Sequence, residues 1–210
     1  KKIADQLPVW VLKALVGDAG VGVYGAAQKG YSLIFAFFRA LETTIFPLVS
    51  EQIEVDKERL QIALRQMQKY TFWLGLVVAV VGGLTADWWV MIIAGEKYAA
   101  AVPLVRLWLW RLLIYAFSQS HRPLYYALGQ QNWLLVIYLG STVTLALLSV
   151  VGIKMFGTIG AVWAGLFNAV FFVLTRLLIL RRLAADLWVS PWSVFRIEEF
   201  DRRLWRMLKS

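Results

Sequence analysis

Residues 123–153, PLYYALGQQNWLLVIYLGSTVTLALLSVVGI, run from Pro123 to Ile153 without one charged side chain. A helix of about 20 mostly apolar residues crosses a bilayer. The part after the polar GlnGln-Asn step, about 131–153, meets that length by itself. Residues 155–175 and 70–86 are also free of charge. None shows the strict alternation of a barrel strand, so the spanning elements are helices.

The whole chain agrees with this stretch. Of 210 residues, 60% are hydrophobic and 17% charged, and the mean hydropathy is +0.64. Soluble domains carry nearer a quarter charged residues. There are eleven Trp, eight Tyr and twelve Phe. The chain reads as an all-α integral membrane protein. It has no Cys and one His, which excludes disulfides, thiolate chemistry and a multi-His metal site. No cofactor is expected. The 22 basic and 13 acidic residues give a net charge of +9. In a membrane protein the positive-inside rule explains that excess, and no nucleic-acid partner is implied.

Working outward, six helices are expected, at about 3–16, 23–50, 68–84, 99–128, 131–153 and 158–183. Together they form a membrane unit over 1–185. The first is too short to span fully and holds Pro8 and Lys13. GDAGVGVYG (17–25) reads as a glycine-rich turn, and 51–69 as a charged loop leading into a helix. ADWWVMIIAGEKYAA (86–100) reads as a short interfacial helix followed by a turn, its two Trp suited to the headgroup level. Pro47 is expected to bend the end of the second helix. KMFGTIG (154–160) is a tight connection.

Lys57, Arg59, Arg65, Lys69, Arg122, Arg181 and Arg182 fall at one end of these helices, against Lys29, Lys97 and Lys154 at the other. This bias puts the 51–69 segment and the C-terminus in the cytoplasm. Residues 186–210 form a tail. In it Ile197, Phe200, Leu204 and Leu208 recur at helical steps opposite Arg196, Glu199, Arg203 and Arg206. Such a helix lies on an anionic leaflet of membrane lipids.

The charges inside the apolar segments carry the functional reading. Arg39 and Glu42 are three residues apart and share a helix face. A charge at the bilayer centre costs about 2.5–3.5 kcal/mol on insertion scales. Gln28, Ser32, Thr43 and Ser50 extend a polar stripe along the same helix. Arg111, Tyr115, Ser118 and Arg122 form a second line on the fourth helix, and Asn168, Thr175 and Arg176 lie on the sixth. A plain reading has the arginines snorkel or lock helices together, above all Arg106 and Arg176 near helix ends. A sharper reading has the stripes line a wet cavity whose positive charge holds an anion, because guanidinium grips phosphate through paired hydrogen bonds. The substrate-binding candidates are Arg39, Glu42, Arg111, Tyr115, Ser118 and Asn168. Gly157, Ala161, Gly165 and Ala169 repeat every four residues and mark a close helix contact. His121 reads as an interfacial residue. No catalytic or metal-binding residue emerges.

Some segments resemble the polysaccharide-exporter flippases of the multidrug/oligosaccharidyl-lipid/polysaccharide superfamily. DQLPVWVLKALVGDAGVGVYGAAQ (5–28) shares Asp5, Val21, Gly22, Tyr24 and Ala27 with a motif of that family. TIFPLVSE (44–51) resembles its Pro-x-x-Ser helix end, at Pro47 and Ser50. GEKYAAAVPLVRLW (95–108) resembles a Gly-x-x-aromatic-x-x-Ala segment, at Gly95, Tyr98 and Ala101. FGTIGAVWA (156–164) resembles the Gly-x-x-Gly-Ala start of a helix. The likeness covers all but the last 25 or so residues.

The resemblance implies one six-helix lobe, the C-terminal half, of a two-lobed transporter. Such a transporter moves lipid-linked oligosaccharides across a bacterial inner membrane by alternating access. Half a cavity cannot gate alone, so the missing N-terminal lobe or a second chain is an expected partner, beside the anionic lipid-linked sugar. The family's cavity arginines vary in position, so no ligand contact is carried over from it. Three rivals stand beside this reading. A cation-coupled multidrug exporter of the same superfamily favours acidic cavity residues, and Glu42 is the lone mid-helix acid. A non-transporting scaffold for polysaccharide synthesis would suit the basic tail. A membrane glycosyltransferase needs acidic metal-binding pairs that the sequence lacks.

Overall fold

The computed structural model describes residues 2–53, 55–119 and 121–195. Among these the chain is helical, with no strand. The elements are α1 (Lys2–Leu15), α2 (Asp18–Gln52), α3 (Lys57–Leu84), α4 (Ala86–Ala94), α5 (Val102–Gln119), α6 (His121–Ala127) and α7 (Gln131–Leu183). Short 3-10 turns cover Glu96–Ala101 and Pro191–Phe195. The tail helix expected beyond residue 195 lies outside the described residues.

Among the described residues, three helical segments are long and apolar enough to cross a membrane: Lys57–Leu84, Glu96–Phe117 and Gln131–Leu183. The last runs 53 residues and breaks at Gly157, whose φ of 61° and ψ of −136° only glycine adopts readily. It folds there into two arms, 131–156 and 158–183. The arms run antiparallel and touch backbone to backbone. A Cβ placed on Gly160 would lie 1.9 Å from the Gly152 carbonyl oxygen. Higher up, Ser141 and Asn168 exchange hydrogen bonds at 3.0 and 3.2 Å. Helices in lipid gain little from hydrophobic burial against each other, so contacts this close carry the packing. The outer face of the first arm exposes Leu135, Leu139, Val143 and Leu147 at four-residue steps. A soluble surface rarely keeps such a strip, and a lipid-facing one does.

Several boundaries differ from the sequence expectation. Of the glycines in 17–25, Gly17 alone makes the turn, at φ 90°. α2 starts at once at Asp18, where a carboxylate meets the positive helix end. α2 also continues through Pro47 to Gln52. α3 starts at Lys57, well before 68, because Asp56 caps it by accepting from the Arg59 N–H at 3.0 Å. Its charged first turns bury Leu60, Leu64 and Met67. His121, expected at the interface, is fully buried, because α6 packs between α2 and α7. α4 leaves Trp88 and Ile92 exposed while Trp89 rests on Gly30 and donates to the Gly82 carbonyl at 3.1 Å.

The buried side chains gather in two main clusters. One lies toward the end that holds Gly17, Gly95 and Gly157. It includes Leu12, Tyr24, Trp108, Leu109 and Ala161. The other lies at the opposite end, with Val49, Leu60, Leu64, Tyr125, Leu180 and Leu187. Between them runs the seam of α2, α5 and the second arm of α7.

Candidate functional site

α2 buries Tyr24, Ala27, Tyr31 and Phe38, one face at three- and four-residue steps. That face meets α5 in parallel register. The Tyr24 and Tyr31 rings lie 5.0 and 5.4 Å from Trp108. Phe35 meets Tyr115 edge-on at 4.8 Å. Gln119 donates to the Phe38 carbonyl at 2.5 Å. The aromatic ladder fixes the height of every α5 side chain against α2.

Arg111 sits half-buried in this seam. Its guanidinium lies 6.0 Å from the centre of the Tyr31 ring, a cation–π contact. Across the seam is Gly165. One Arg111 terminal nitrogen and the Trp108 indole nitrogen lie 3.7 and 3.9 Å from the point where a Gly165 Cβ would stand. Trp108 is 2% exposed, and its buried N–H has no hydrogen-bond partner among the described residues. A buried donor without an acceptor costs about 1–3 kcal/mol. No acidic side chain pairs with Arg111 among the described residues. Two N–H donors, one of them cationic, therefore converge on a spot where the facing helix has no side chain. The arrangement suits an acceptor-rich or anionic group.

The other predicted residues are spread along the bundle. Tyr115 borders the same seam one turn along α5. Arg39 is exposed on α2, eight residues beyond Tyr31 and so about 12 Å further along the axis. It shares an exposed flank with Ser32, Thr43 and Ser50. Ser32 and Thr43 turn their hydroxyls back to the Lys29 and Ala40 carbonyls of the same helix. Asn168 is buried and bonded to Ser141. It holds the α7 hairpin. The side chains of Glu42 and Ser118 lie outside the described part of the structure.

Arg106 and Arg176 have local roles. Arg106 donates to the Gly83 carbonyl at 3.0 Å and pairs with Asp87. Arg176 is 1% exposed with its guanidinium 5.3 Å from the Phe172 ring, and its carbonyl accepts from the Tyr125 hydroxyl at 2.7 Å. The sequence reading did not single out Trp108 or Tyr31. Their spacing from Arg111 and Gln28 was a usable signal, masked by how many aromatics the chain carries.

A family model for MatE matches residues 6–151. The chain belongs to the MatE family. MatE proteins are membrane transporters of the multidrug/oligosaccharidyl-lipid/polysaccharide superfamily and not enzymes. No curated protein and no solved structure shows a significant match to the chain. In a MatE protein, a polar seam between long apolar helices is a candidate substrate contact rather than a catalytic centre. No cluster of His, Cys, Asp and Glu able to hold a metal ion occurs among the described residues.

Proposed function

We propose that this chain is one lobe of an exporter that moves an anionic, lipid-linked oligosaccharide across a bacterial inner membrane by alternating access. The two arms of α7 count as separate spans in this reading. With α1, α2, α3 and the α5–α6 pair they make six. The end holding Lys57, Arg59, Arg181 and Arg182 faces the cytoplasm, following the positive-inside rule. A second lobe, on the same polypeptide or another, completes the cavity. The exposed α2 flank with Arg39 would face it.

One observation carries the substrate class. Arg111 and the unpartnered Trp108 N–H converge over Gly165, with no acid paired to Arg111 among the described residues. A diphosphate offers the acceptors that such donors lack. A cationic drug would meet repulsion at the same spot, so the multidrug reading of the family is the weaker one here.

The test is export by the complete transporter in cells lacking their own copy. Arg111→Gln, Arg111→Lys and Asn168→Ala are compared at matched membrane protein levels. Arg111→Gln should reduce surface polysaccharide at least tenfold, Arg111→Lys less, and Asn168→Ala little. Equal export by Arg111→Gln and the parent would remove the anion seat. Resistance to cationic drugs lost on Glu42→Gln, with polysaccharide unchanged, would establish the multidrug alternative.

A further inference from the structure

A second cationic recess lies at the opposite end of α3 from Gly83, away from the α2–α5 seam. Arg65, Trp188, Ser190, Trp192 and Ser193 line a cavity of about 380 Å³, within the size range of small-ligand sites. Its walls are firmly placed. The segment after α7 is tied to α3 by Lys57 to the Asp186 carboxylate at 2.9 Å and Gln61 to the Asp186 carbonyl at 3.0 Å. Trp73 donates to the Val194 carbonyl at 3.2 Å. Arg181 lies 5.2 Å from the Trp188 ring.

Three donors belong to this recess without acceptors of their own. Ser193 is 8% exposed, and its hydroxyl has no hydrogen-bond partner among the described residues. The buried Trp188 indole N–H is in the same position. Arg65 has no ion pair among the described residues. Among the described residues, no acidic side chain lines the cavity. Guanidinium, indole N–H and hydroxyl together match the oxygens of a phosphate.

The height of the recess says where that phosphate comes from. Along α3 the charged turns holding Arg59, Arg65 and Lys69 give way to Trp73, Val77 and Val81, which are exposed and apolar. Beside them Trp192 and Phe195 stand exposed. Aromatic residues at such a transition sit at the level of lipid headgroups. We propose that this recess seats the phosphate of an anionic membrane phospholipid, gripped by Arg65 and Ser193 and flanked by Trp192. Its acyl chains would follow the apolar face of α3. The seat is independent of the transport reading and uses none of the seam residues.

The full chain, purified in detergent, is titrated with phosphatidylglycerol, phosphatidylcholine or inorganic phosphate, and lipid retention is read by native mass spectrometry. Phosphatidylglycerol should bind about tenfold tighter than phosphatidylcholine, and Arg65→Gln should weaken it about tenfold. Arg65→Lys should fall between, and Lys154→Gln, exposed at the other end of the bundle, should leave it unchanged. Ser193→Ala should cost about threefold. Thermal unfolding without lipid confirms that each variant is folded, and Arg65→Lys carries the comparison if Arg65→Gln is not. Three results would each overturn the proposal. Folded Arg65→Gln could retain the lipid like the parent. Inorganic phosphate could displace phosphatidylglycerol at equal concentration. Removal of residues 196–210 could raise lipid affinity tenfold or more, which would make the tail the natural occupant.

Discussion

The α7 hairpin and the α2–α5 seam both place polar atoms among apolar helices, but they treat them differently. In the hairpin, Ser141 and Asn168 satisfy each other across the two arms, and Gly152 and Gly160 close the gap to backbone contact. In the seam, Arg111 and the Trp108 N–H converge over Gly165, and that N–H has no hydrogen-bond partner among the described residues. The hairpin is closed and its polar groups act as a lock. The seam keeps the Trp108 donor without a partner among the described residues. Polarity inside a membrane helix therefore does not signal function by itself. What matters is whether the partners are already supplied.

The sharpest way to break this comparison uses one substitution at two places on the same arm. Gly160→Ala drives a methyl into the Gly152 carbonyl at 1.9 Å, and neither backbone can yield cheaply. We expect a loss of about 3 kcal/mol or more, read as failure to accumulate folded protein on detergent size-exclusion. Gly165→Ala meets only ordinary contacts at 3.7 and 3.9 Å. It should be neutral or stabilising by up to about 1 kcal/mol from helix propensity. Equal destabilisation at both sites would erase the distinction between closed and open.

A smaller effect is expected from the lock itself. Asn168→Ala leaves the Ser141 hydroxyl unpaired and should cost about 0.6–1.7 kcal/mol in detergent unfolding. The double variant with Ser141→Ala should recover part of that loss. If Asn168→Ala instead left stability untouched and stopped export, Asn168 would belong with the open seam.

The smallest effect lies outside the membrane. Asp186 accepts a hydrogen bond from Lys57, and that bond holds its carboxyl below the ordinary carboxylate value. A depressed folded value means the contribution is present above the unfolded value, near pH 4, and is lost as pH falls through the folded one. Both side chains are more than half exposed, so the contribution is below about 1 kcal/mol. Thermal midpoints of the parent and Asp186→Asn should differ slightly at pH 7 and converge under acid conditions. A constant difference across that range would show that the effect does not come from the charge of the carboxylate.

How much of this was legible in the sequence depended on the kind of signal. Uncharged runs marked the cores of α3 and of both arms of α7, because hydropathy and length alone decide what can span. They misplaced the start of α3, since its first turns are amphipathic and the Asp56 cap is local. The four-residue repeat at Gly157 to Ala169 pointed to a packed face. It did not show that Gly160, one step off the repeat, makes the closest contact, because that depends on where the chain folds back. Arg39 and Arg111 read alike in sequence. The structure sets them about two turns apart in height, one exposed and one in an aromatic seam. Helical phase places a residue on a face, but partners across the gap come only from tertiary register.

The central claim is that the Arg111 guanidinium is held open for a phosphate-bearing substrate. The most direct measurement is binding of a purified lipid-linked diphosphate sugar to the complete transporter, compared between the parent and Arg111→Gln at matched folding. Affinity should fall about tenfold or more, with thermal stability unchanged. Unchanged affinity in a folded Arg111→Gln protein would contradict it.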